Sequence, residues 1–187
     1  LWISSEEGVQ KFDNGKFVYP KGAQGSLKNL NISHFTVTNN AMWLFDKDAQ
    51  RLKKWKNGQM KEFKGGWHKG TTGDMRPLFI KSGLQGKIWV SSKSGLASYD
   101  GSDWVFPEQL NDVQGGLWSG INDFEVVDSQ TFVVATNVGI AISYQDTLQW
   151  IKESNSHLAA NRVLELAVND NREVALFSGY DNVVSVF

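Results

Sequence analysis

The chain has 187 residues, a formal net charge of -1 and no cysteine, and 41% of its residues are hydrophobic. This hydrophobic content is enough for a buried core, which argues against a disordered chain, and the nearly balanced charges give no indication of a nucleic-acid or anionic-membrane partner. The absence of cysteine excludes a disulfide framework and thiolate metal sites, and no apolar run approaches the roughly 20 residues of a membrane-spanning helix.

A short apolar strand followed by a tight turn and a second strand recurs along the chain. The four clear copies read L-W-I-S-S-E-E-G-V-Q-K-F-D, M-W-L-F-D-K-D-A-Q-R-L-K-K-W, I-W-V-S-S-K-S-G-L-A-S-Y-D and F-V-V-A-T-N-V-G-I-A-I-S-Y. A weaker fifth copy, A-L-F-S-G-Y-D-N-V-V-S-V-F, closes the chain. Their anchor residues lie 41, 46, 44 and 43 residues apart, at Trp2, Trp43, Trp89, Val133 and Leu176. Such a period, with several short strands in each unit, is typical of β-propeller blades.

Each period predicts four strands. The first strand alternates apolar and polar residues, as in 162–168, and a turn rich in Asn, Asp, Ser or Gly leads to the second strand. The next turn ends in Gly8, Gly95 or Gly139, where glycine supplies the positive φ before the third strand. The second copy lacks this glycine, and we expect a longer, differently built turn at 46–50. A hairpin turn then joins the third strand to the fourth.

The sequence therefore predicts an all-β fold of propeller blades, each with four antiparallel strands. The predicted blades span 1–20, 32–63, 78–106, 121–150 and 162–187, and long surface crossings join them. The chain enters at a second strand and leaves after a third strand. We therefore expect a fragment of a larger propeller in which four to five blades are represented.

The repeats resemble the two-component regulator propeller repeat. That repeat is typified by Leu-Trp-Ile-Gly-Thr, two variable residues, Gly-Leu and then an aromatic residue, Asp and Gly. The first and third copies match this pattern best, and the stretch L-A-A-N-R-V at 158–163 is similar to the family's lead into a first strand. The resemblance covers essentially the whole chain. It implies a periplasmic, ligand-sensing region of a bacterial membrane receptor. The sequence contains no Gly-x-Ser-x-Gly elbow, phosphate loop or His-Glu-x-x-His, so we expect no catalytic residue and no cofactor in this segment.

Six residues are candidates for a ligand-binding face. Because strands alternate in direction, the blade-to-blade crossings and the second-to-third-strand turns emerge at the same end of the blades, which is the usual ligand face of a propeller. The candidates in or beside the crossings are Trp67, His68, Arg76, Trp118, His157 and Arg162. The alternatives are that the two tryptophans cap the core and that the charged side chains are solvated or ion-paired. The histidines have no metal-ligand spacing, so the sequence predicts no metal site.

The remaining tryptophans have structural interpretations. Trp2, Trp43 and Trp89 occupy one repeated position and are predicted to pack between adjacent blades. The tryptophans predicted to pack on the outer strands are Trp55, Trp104 and Trp150.

The leading hypothesis is a non-catalytic sensor, whose partners are a small-molecule or glycan ligand and other blades of the same receptor. A homodimer is a further partner that the sequence allows, whereas nucleic acid and membrane contact by this segment are not expected. The runner-up is an enzyme resembling the streptogramin lyases, with His68 or His157 as general base beside a carboxylate and a divalent cation. A third alternative is a protein-interaction scaffold.

Overall fold

The computed structural model describes the chain in eleven segments. These are 1–23, 25–38, 41–67, 76–83, 86–92, 95–106, 121–128, 131–144, 147–169, 171–178 and 183–186. Within them the strands form five antiparallel sheets, named sheets 1 to 5 in chain order, and three of these sheets have four strands. The predicted all-β fold of four-stranded propeller blades is confirmed.

Consecutive strands are hydrogen-bonded neighbours in every sheet. Sheet 1 contains β1 to β3, which are Trp2–Ser5, Gly8–Asp13 and Lys16–Val18. Sheet 2 contains β4 to β7, which are Ile32–Val37, Met42–Asp46, Arg51–Lys56 and Gln59–Phe63. Sheet 3 contains β8 to β11, which are Pro77–Ser82, Ile88–Ser92, Gly95–Tyr99 and Trp104–Val105. Sheet 4 contains β12 to β15, which are Ile121–Val126, Thr131–Thr136, Gly139–Tyr144 and Thr147–Ile151. Sheet 5 contains β16 to β18, which are Val163–Val168, Val174–Ser178 and Val183–Val186.

The chain divides into two compact units. Unit 1 comprises Leu1–Ser82 and Gly86–Val105 and holds sheets 1 to 3, whereas unit 2 comprises Gly83–Gln85 and Phe106–Phe187 and holds sheets 4 and 5. A 3-10 turn, Glu153–Asn155, lies in the crossing between sheets 4 and 5. No helix in the described segments is long and apolar enough to cross a membrane.

Two apolar centres lie among the described residues of unit 1. The first lies between sheets 1 and 2 and includes Val9, Leu27 and Leu44, with Trp2 and Trp55 packed against it. The second, named the aromatic cluster, joins sheets 2 and 3 and consists of Trp43, Phe63, Trp67, Tyr99 and Trp104. Large rings fill the space between two twisted sheets more completely than aliphatic side chains do.

The repeated tryptophan position is largely architectural. Trp43 is almost completely buried, and its ring centroid lies 5.2 Å from that of Tyr99 in the next sheet. Trp2 packs against the core between sheets 1 and 2, and Trp89 is half-buried. The predicted packing between sheets is therefore confirmed for Trp2 and Trp43.

Unit 2 is held together by apolar contacts and one buried carboxylate. Its core combines Val133 and Ile140 of sheet 4 with Leu166 and Leu176 of sheet 5. Asp123 is 8% exposed, and its Oδ2 accepts a hydrogen bond of 3.0 Å from the backbone N–H of Leu166 in the neighbouring sheet. A buried carboxylate needs such partners, because an unpaired charge in the interior is costly.

Candidate functional site

The candidate site lies at the end of the sheets where the second strand turns into the third. We call this end of each unit its tip face. In unit 1 it is formed by the β1–β2 and β5–β6 turns and the crossing before β4, and in unit 2 by the β13–β14 turn and the crossing before β16. Each of these hairpins brings loop residues to the same end of its sheet, because successive strands are antiparallel.

Small polar side chains at the end of the second strand hold the tip turns in shape. The Oγ1 of Thr136 accepts a hydrogen bond of 3.0 Å from the N–H of Val138 and donates one of 2.7 Å to the carbonyl of Gly139. The Oγ of Ser5 accepts one of 3.2 Å from the N–H of Glu7. Such side-chain to backbone bonds are the usual way in which Ser and Thr stabilise turns.

The turn glycines adopt the predicted backbone. Gly8, Gly95 and Gly139 have φ of 106°, 141° and 125°. The second copy is built differently, as predicted: four residues, 47–50, separate β5 from β6, and Gln50 has φ of 51°. Oδ1 of Asp46 takes the place of the Ser5 and Thr136 hydroxyls of the other copies. It accepts hydrogen bonds from the N–H groups of residues 48 and 49, at 3.0 and 3.2 Å.

Asp46 also anchors the tip turn to the interior of sheet 2. Its Oδ2 lies 2.9 Å from Nζ of Lys53, which also contacts Glu62 at 3.0 Å. Burial opposes ionisation of Asp46, but the hydrogen bonds from Lys53 and the turn backbone outweigh it and lower the pKa of this carboxyl. Burial likewise opposes the charge on Lys53, yet its two carboxylate partners raise the pKa of the ammonium group. The turn is therefore fixed by a charged pair at neutral pH.

A polar pocket of about 570 Å³ opens on the tip face of unit 1, and we call it tip pocket 1. It is lined by Ser4, Ser5, Glu6, Asn29, Leu30, Asn31, Ile32, Lys47 and Asp48. Asn31 donates from Nδ2 to Oδ1 of Asp48 at 2.8 Å, and its carbonyl accepts from the N–H of Lys47 at 2.7 Å. The crossing before sheet 2 and the tip turn of sheet 2 thus form one continuous wall.

A smaller pocket of about 330 Å³ opens on the tip face of unit 2, and we call it tip pocket 2. It is lined by Asn137, Glu153, Asn161 and Arg162. Glu153 and Asn161 bind reciprocally: Oε1 of Glu153 accepts the N–H of Asn161 at 2.5 Å, and Oδ1 of Asn161 accepts the N–H of Glu153 at 2.9 Å. These two hydrogen bonds fix the crossing that leads to Arg162.

A bulge in the first strand of sheet 4 connects tip pocket 2 to sheet 5. The register of β12 shifts between Ile121 and Asp123, so Asn122 is left out of the ladder. Its Nδ2 lies 2.9 Å from Oδ1 of Asn137 and 2.7 Å from the carbonyl of Val163. Asn122 therefore positions both the tip turn and the start of β16.

The two pockets occupy corresponding positions in the repeat. Ser5 and Thr136 end the second strands, and Glu6 and Asn137 are the first residues of the tip turns that follow. Asn31 and Arg162 directly precede the first strands of the next sheets. Each pocket is thus assembled from a tip turn, a crossing and the residue before a first strand, and each presents both hydrogen-bond donors and acceptors.

The six candidate residues predicted from the sequence lie in different environments in the structure. Arg162 lines tip pocket 2, and Arg76 is exposed at the corresponding position before β8. His157 is exposed in the crossing between sheets 4 and 5, but it is not part of the pocket lining. His68 and Trp118 lie outside the described residues.

Trp67 is a packing residue and offers no ring face to a ligand. Its side chain is fully buried, and its ring centroid lies 6.1 Å from that of Trp104 in an edge-to-face arrangement. The expectation that it contributes to a ligand face is corrected here, because the crossing turns the indole inward against Trp104 of sheet 3. Of the two alternatives from the sequence, capping the core describes Trp67.

Sequence reasoning missed most of the pocket residues. Asn29, Asn31, Glu153 and Asn161 are common polar loop residues, and only their convergence with a tip turn marks them. The sequence does offer one signal. The residue directly before a first strand reaches a pocket in both units, namely Asn31 before β4 and Arg162 before β16. Within the described segments, no group of three or more His, Cys, Asp or Glu side chains could hold a metal ion.

No family model and no curated protein matches the chain. Solved structures do match it. The extracellular domain of one hybrid two-component system from B. thetaiotaomicron has a TM-score of 0.65 and 16% identity, over 99% of this chain and 24% of that chain. The extracellular domain of another such system from B. thetaiotaomicron has a TM-score of 0.52 and 13% identity, over 99% of this chain and 30% of that chain.

An enzyme shares the fold as well. A catalytically inactive virginiamycin B lyase from Staphylococcus aureus, solved with quinupristin, has a TM-score of 0.64 and 13% identity, over 100% of this chain and 65% of that chain. This chain spans 24% and 30% of the two extracellular-domain structures. At these identities the likeness shows the fold, which is one that carries unrelated functions.

Proposed function

We propose that the chain is a non-catalytic, extracytoplasmic ligand-sensing propeller region of a bacterial signal-transduction receptor. The proposal combines the resemblance of the repeats to the two-component regulator propeller with the fold shared with two extracellular receptor domains. It assigns the ligand to the tip face. Rigid sheets hold loops of variable sequence there, and ligand contacts with those loops would shift the receptor between signalling states.

The observation that carries the proposal is the repetition of a polar pocket on the tip face in both units. Tip pocket 2 places a guanidinium group, two amides and a carboxylate around about 330 Å³, which suits a small polar ligand. The carboxylate of Glu153 and the side chain of Asn161 are engaged with each other's backbone, so these groups shape the pocket. Arg162 lines the same pocket with its guanidinium group, which suits an anionic or hydroxyl-rich ligand, and we expect it to contact such a ligand.

The site is tested by a thermal-shift screen of the purified chain with mono- and disaccharides, amino acids and small carboxylates. A ligand at 100 times its Kd stabilises the folded state by about 2.7 kcal/mol, which is readily detected. We expect Arg162→Gln to abolish the shift produced by any ligand of tip pocket 2. The matched control is Arg172→Gln, because Arg172 is 68% exposed in the β16–β17 turn and pairs with Asp128 at 3.4 Å. Equal shifts in the two variants, or no shift with any compound, would overturn the assignment.

The compartment is tested separately with the full-length gene. An alkaline phosphatase fused after residue 187 should be active in intact cells, because this enzyme matures only outside the cytoplasm. Activity of a cytoplasmic reporter at the same junction, with an inactive phosphatase, would contradict the proposed location.

The lyase alternative makes a different prediction. It requires metal-dependent turnover of a ligand that is lost when His157 or His68 is replaced. Incubating the chain with each hit from the screen and Mg²⁺, followed by mass spectrometry, separates the two functions: an unchanged ligand supports the sensor, and a cleaved one supports the enzyme. An interaction scaffold would give no small-molecule shift at all.

A further inference from the structure

A groove lies at the end of unit 1 opposite the tip face. It measures about 830 Å³ and opens between sheets 1 and 2. Its lining consists of Trp2, Lys11, Pro20, Lys21, Val37, Thr38, Ala41, Met42, Trp55, Lys56, Asn57 and Gly58. These residues lie at the starts of β1 and β5, towards the ends of β2, β4 and β6, in the crossing after β3, beside the β4–β5 turn and in the turn that follows β6. We call it the base groove.

The corresponding space between sheets 2 and 3 is filled by the protein's own rings. There, Trp43 lies beside its cross-strand neighbour Lys54, whose Nζ is 4.9 Å from the ring centroid. Phe63 from the same sheet stacks on Trp43 with centroids 5.1 Å apart, and Tyr99 approaches from the next sheet. These rings belong to the aromatic cluster, in which each ring packs against at least one other.

The repeat places the same pattern around the base groove, with one change. Trp2 pairs with Lys11 across β1 and β2 as Trp43 pairs with Lys54, and Trp55 takes the place of Tyr99. Counted from the Asn-Gly turn before the fourth strand, however, Pro20 stands where Phe63 stands in sheet 2. A proline ring is too small to stack on the tryptophan as Phe63 does, and the space beside Trp2 stays open.

The charge of the base groove has one sign. Lys11, Lys21 and Lys56 line it and are exposed, and no acidic side chain is among its described lining residues. No ion pair within the described segments involves any of the three lysines. The pKa of Lys54 in the same sheet is lowered, first by burial and then by the positive charges of Lys56 and Lys61.

The indole of Trp55 supplies a second polar feature. Its Nε1 is buried without a hydrogen-bond partner in the described part of the chain. Trp2 and Trp55 are both half-buried, so each combines an apolar ring with partial access to the groove. Indole rings offer flat apolar faces, and ammonium groups bind carboxylate or sulfate as point charges.

We propose that the base groove binds an anionic saccharide, whose sugar ring packs on Trp2 or Trp55 and whose carboxylate or sulfate groups contact Lys11, Lys21 and Lys56. The ring of the ligand would occupy the space that Phe63 fills in the next repeat. The site is independent of the proposed function, because it lies at the other end of the sheets and shares no residue with the tip pockets.

The test uses trigalacturonate as the carboxylated probe and a sulfated chondroitin disaccharide as the sulfated probe, measured by isothermal titration calorimetry and tryptophan fluorescence. The fully methyl-esterified trigalacturonate is the uncharged control with the same rings. We expect at least one anionic probe to bind, and we expect its binding to weaken with added salt. If trigalacturonate binds, its methyl ester should bind at least about tenfold more weakly. Binding of one probe and not the other identifies the anionic group.

Two double variants locate the site. Lys11→Gln with Lys56→Gln should weaken binding by about tenfold or more, because two charge contacts are lost. Lys28→Gln with Lys87→Gln removes the same net charge from exposed positions outside the groove and should leave binding within about twofold. Failure of both probes to bind, binding of the ester as tight as that of the acid, or equal losses in the two variants would overturn the proposal. An Arg162→Gln chain that keeps this binding shows that the groove stands apart from tip pocket 2.

Discussion

Replacing Gly8 with alanine should lower the free energy of unfolding for two separate reasons, which a matched control can distinguish. The first is backbone conformation, since Gly8 has φ of 106°, where a side chain costs about 1–2 kcal/mol. The second is close approach, because a Cβ at Gly8 would overlap the carbonyl oxygen of Leu27 and would lie 3.1 Å from the N–H nitrogen of Asn29. The obstacle is backbone, so it cannot move aside as a flexible side chain would.

The expected loss for Gly8→Ala follows from these contacts. Moving the crossing away costs about 1–3 kcal/mol, as overpacking does. It also weakens two backbone hydrogen bonds, Val9 N to Leu27 O at 3.1 Å and Asn29 N to Glu7 O at 2.9 Å, each worth about 1 kcal/mol. With the conformational cost and the loss of both bonds, the total is about 4–7 kcal/mol. Gly101→Ala is the matched control, because Gly101 has φ of 117° but nothing within 4 Å of an added Cβ; it should lose only about 1–2 kcal/mol.

The assay is urea unfolding followed by tryptophan fluorescence, which reports mainly on unit 1. Six of the eight tryptophans belong to that unit, namely Trp2, Trp43, Trp55, Trp67, Trp89 and Trp104. We expect the free energy of unfolding of Gly8→Ala to fall below that of Gly101→Ala by at least about 2 kcal/mol. Losses that agree within about 0.5 kcal/mol would refute the close approach of the crossing to the tip turn.

Three further predictions concern buried side chains. Trp67→Ala should lower the free energy of unfolding by about 3–5 kcal/mol in urea, whereas Trp150→Ala, at a half-buried ring under Lys152, should lose less; equal losses would contradict the burial of Trp67. Asp123→Ala should cost about 2–4 kcal/mol, because it leaves the buried N–H groups that it binds without an acceptor, and a loss below about 0.5 kcal/mol in a calorimetric scan would contradict the link between sheets 4 and 5. Because the pKa of Asp46 is lowered in the folded state, its stabilising effect is complete above the ordinary value of 3.8 and is lost as the pH falls below it. Urea midpoints measured from pH 6 to pH 3 should therefore fall less steeply for Asp46→Asn than for the wild-type chain, and parallel curves would contradict the lowered pKa.

Much of the fold follows from local sequence. The spacing of the copies and their alternation predict antiparallel strands of the propeller kind, and the structure confirms this class. The glycines at 8, 95 and 139 predict positive φ because few other residues tolerate it. The missing glycine of the second copy predicts a longer turn, and the four residues between β5 and β6 form one. These features depend only on backbone sterics and neighbouring residues.

The candidate site was much less accessible from the sequence. Arg162 was recognised because it precedes a first strand, but its pocket depends on Asn137 and Glu153, which come from other turns. The place of Trp67 outside the repeat makes it a candidate for the ligand face, but the structure buries its side chain. Which way a loop side chain points depends on what the rest of the chain leaves unfilled, and no local pattern records that.

The sequence by itself determined the strand order, the turn backbones and the repeated tryptophan position, since each of these follows from a period of residues along one chain. Only the tertiary structure decided which spaces between sheets are filled and which stay open. Phe63 and Pro20 hold the same place in the repeat, yet one completes the aromatic cluster and the other leaves the base groove. The physical reason is that packing depends on the summed volume of side chains from separate strands, which is set when the sheets meet.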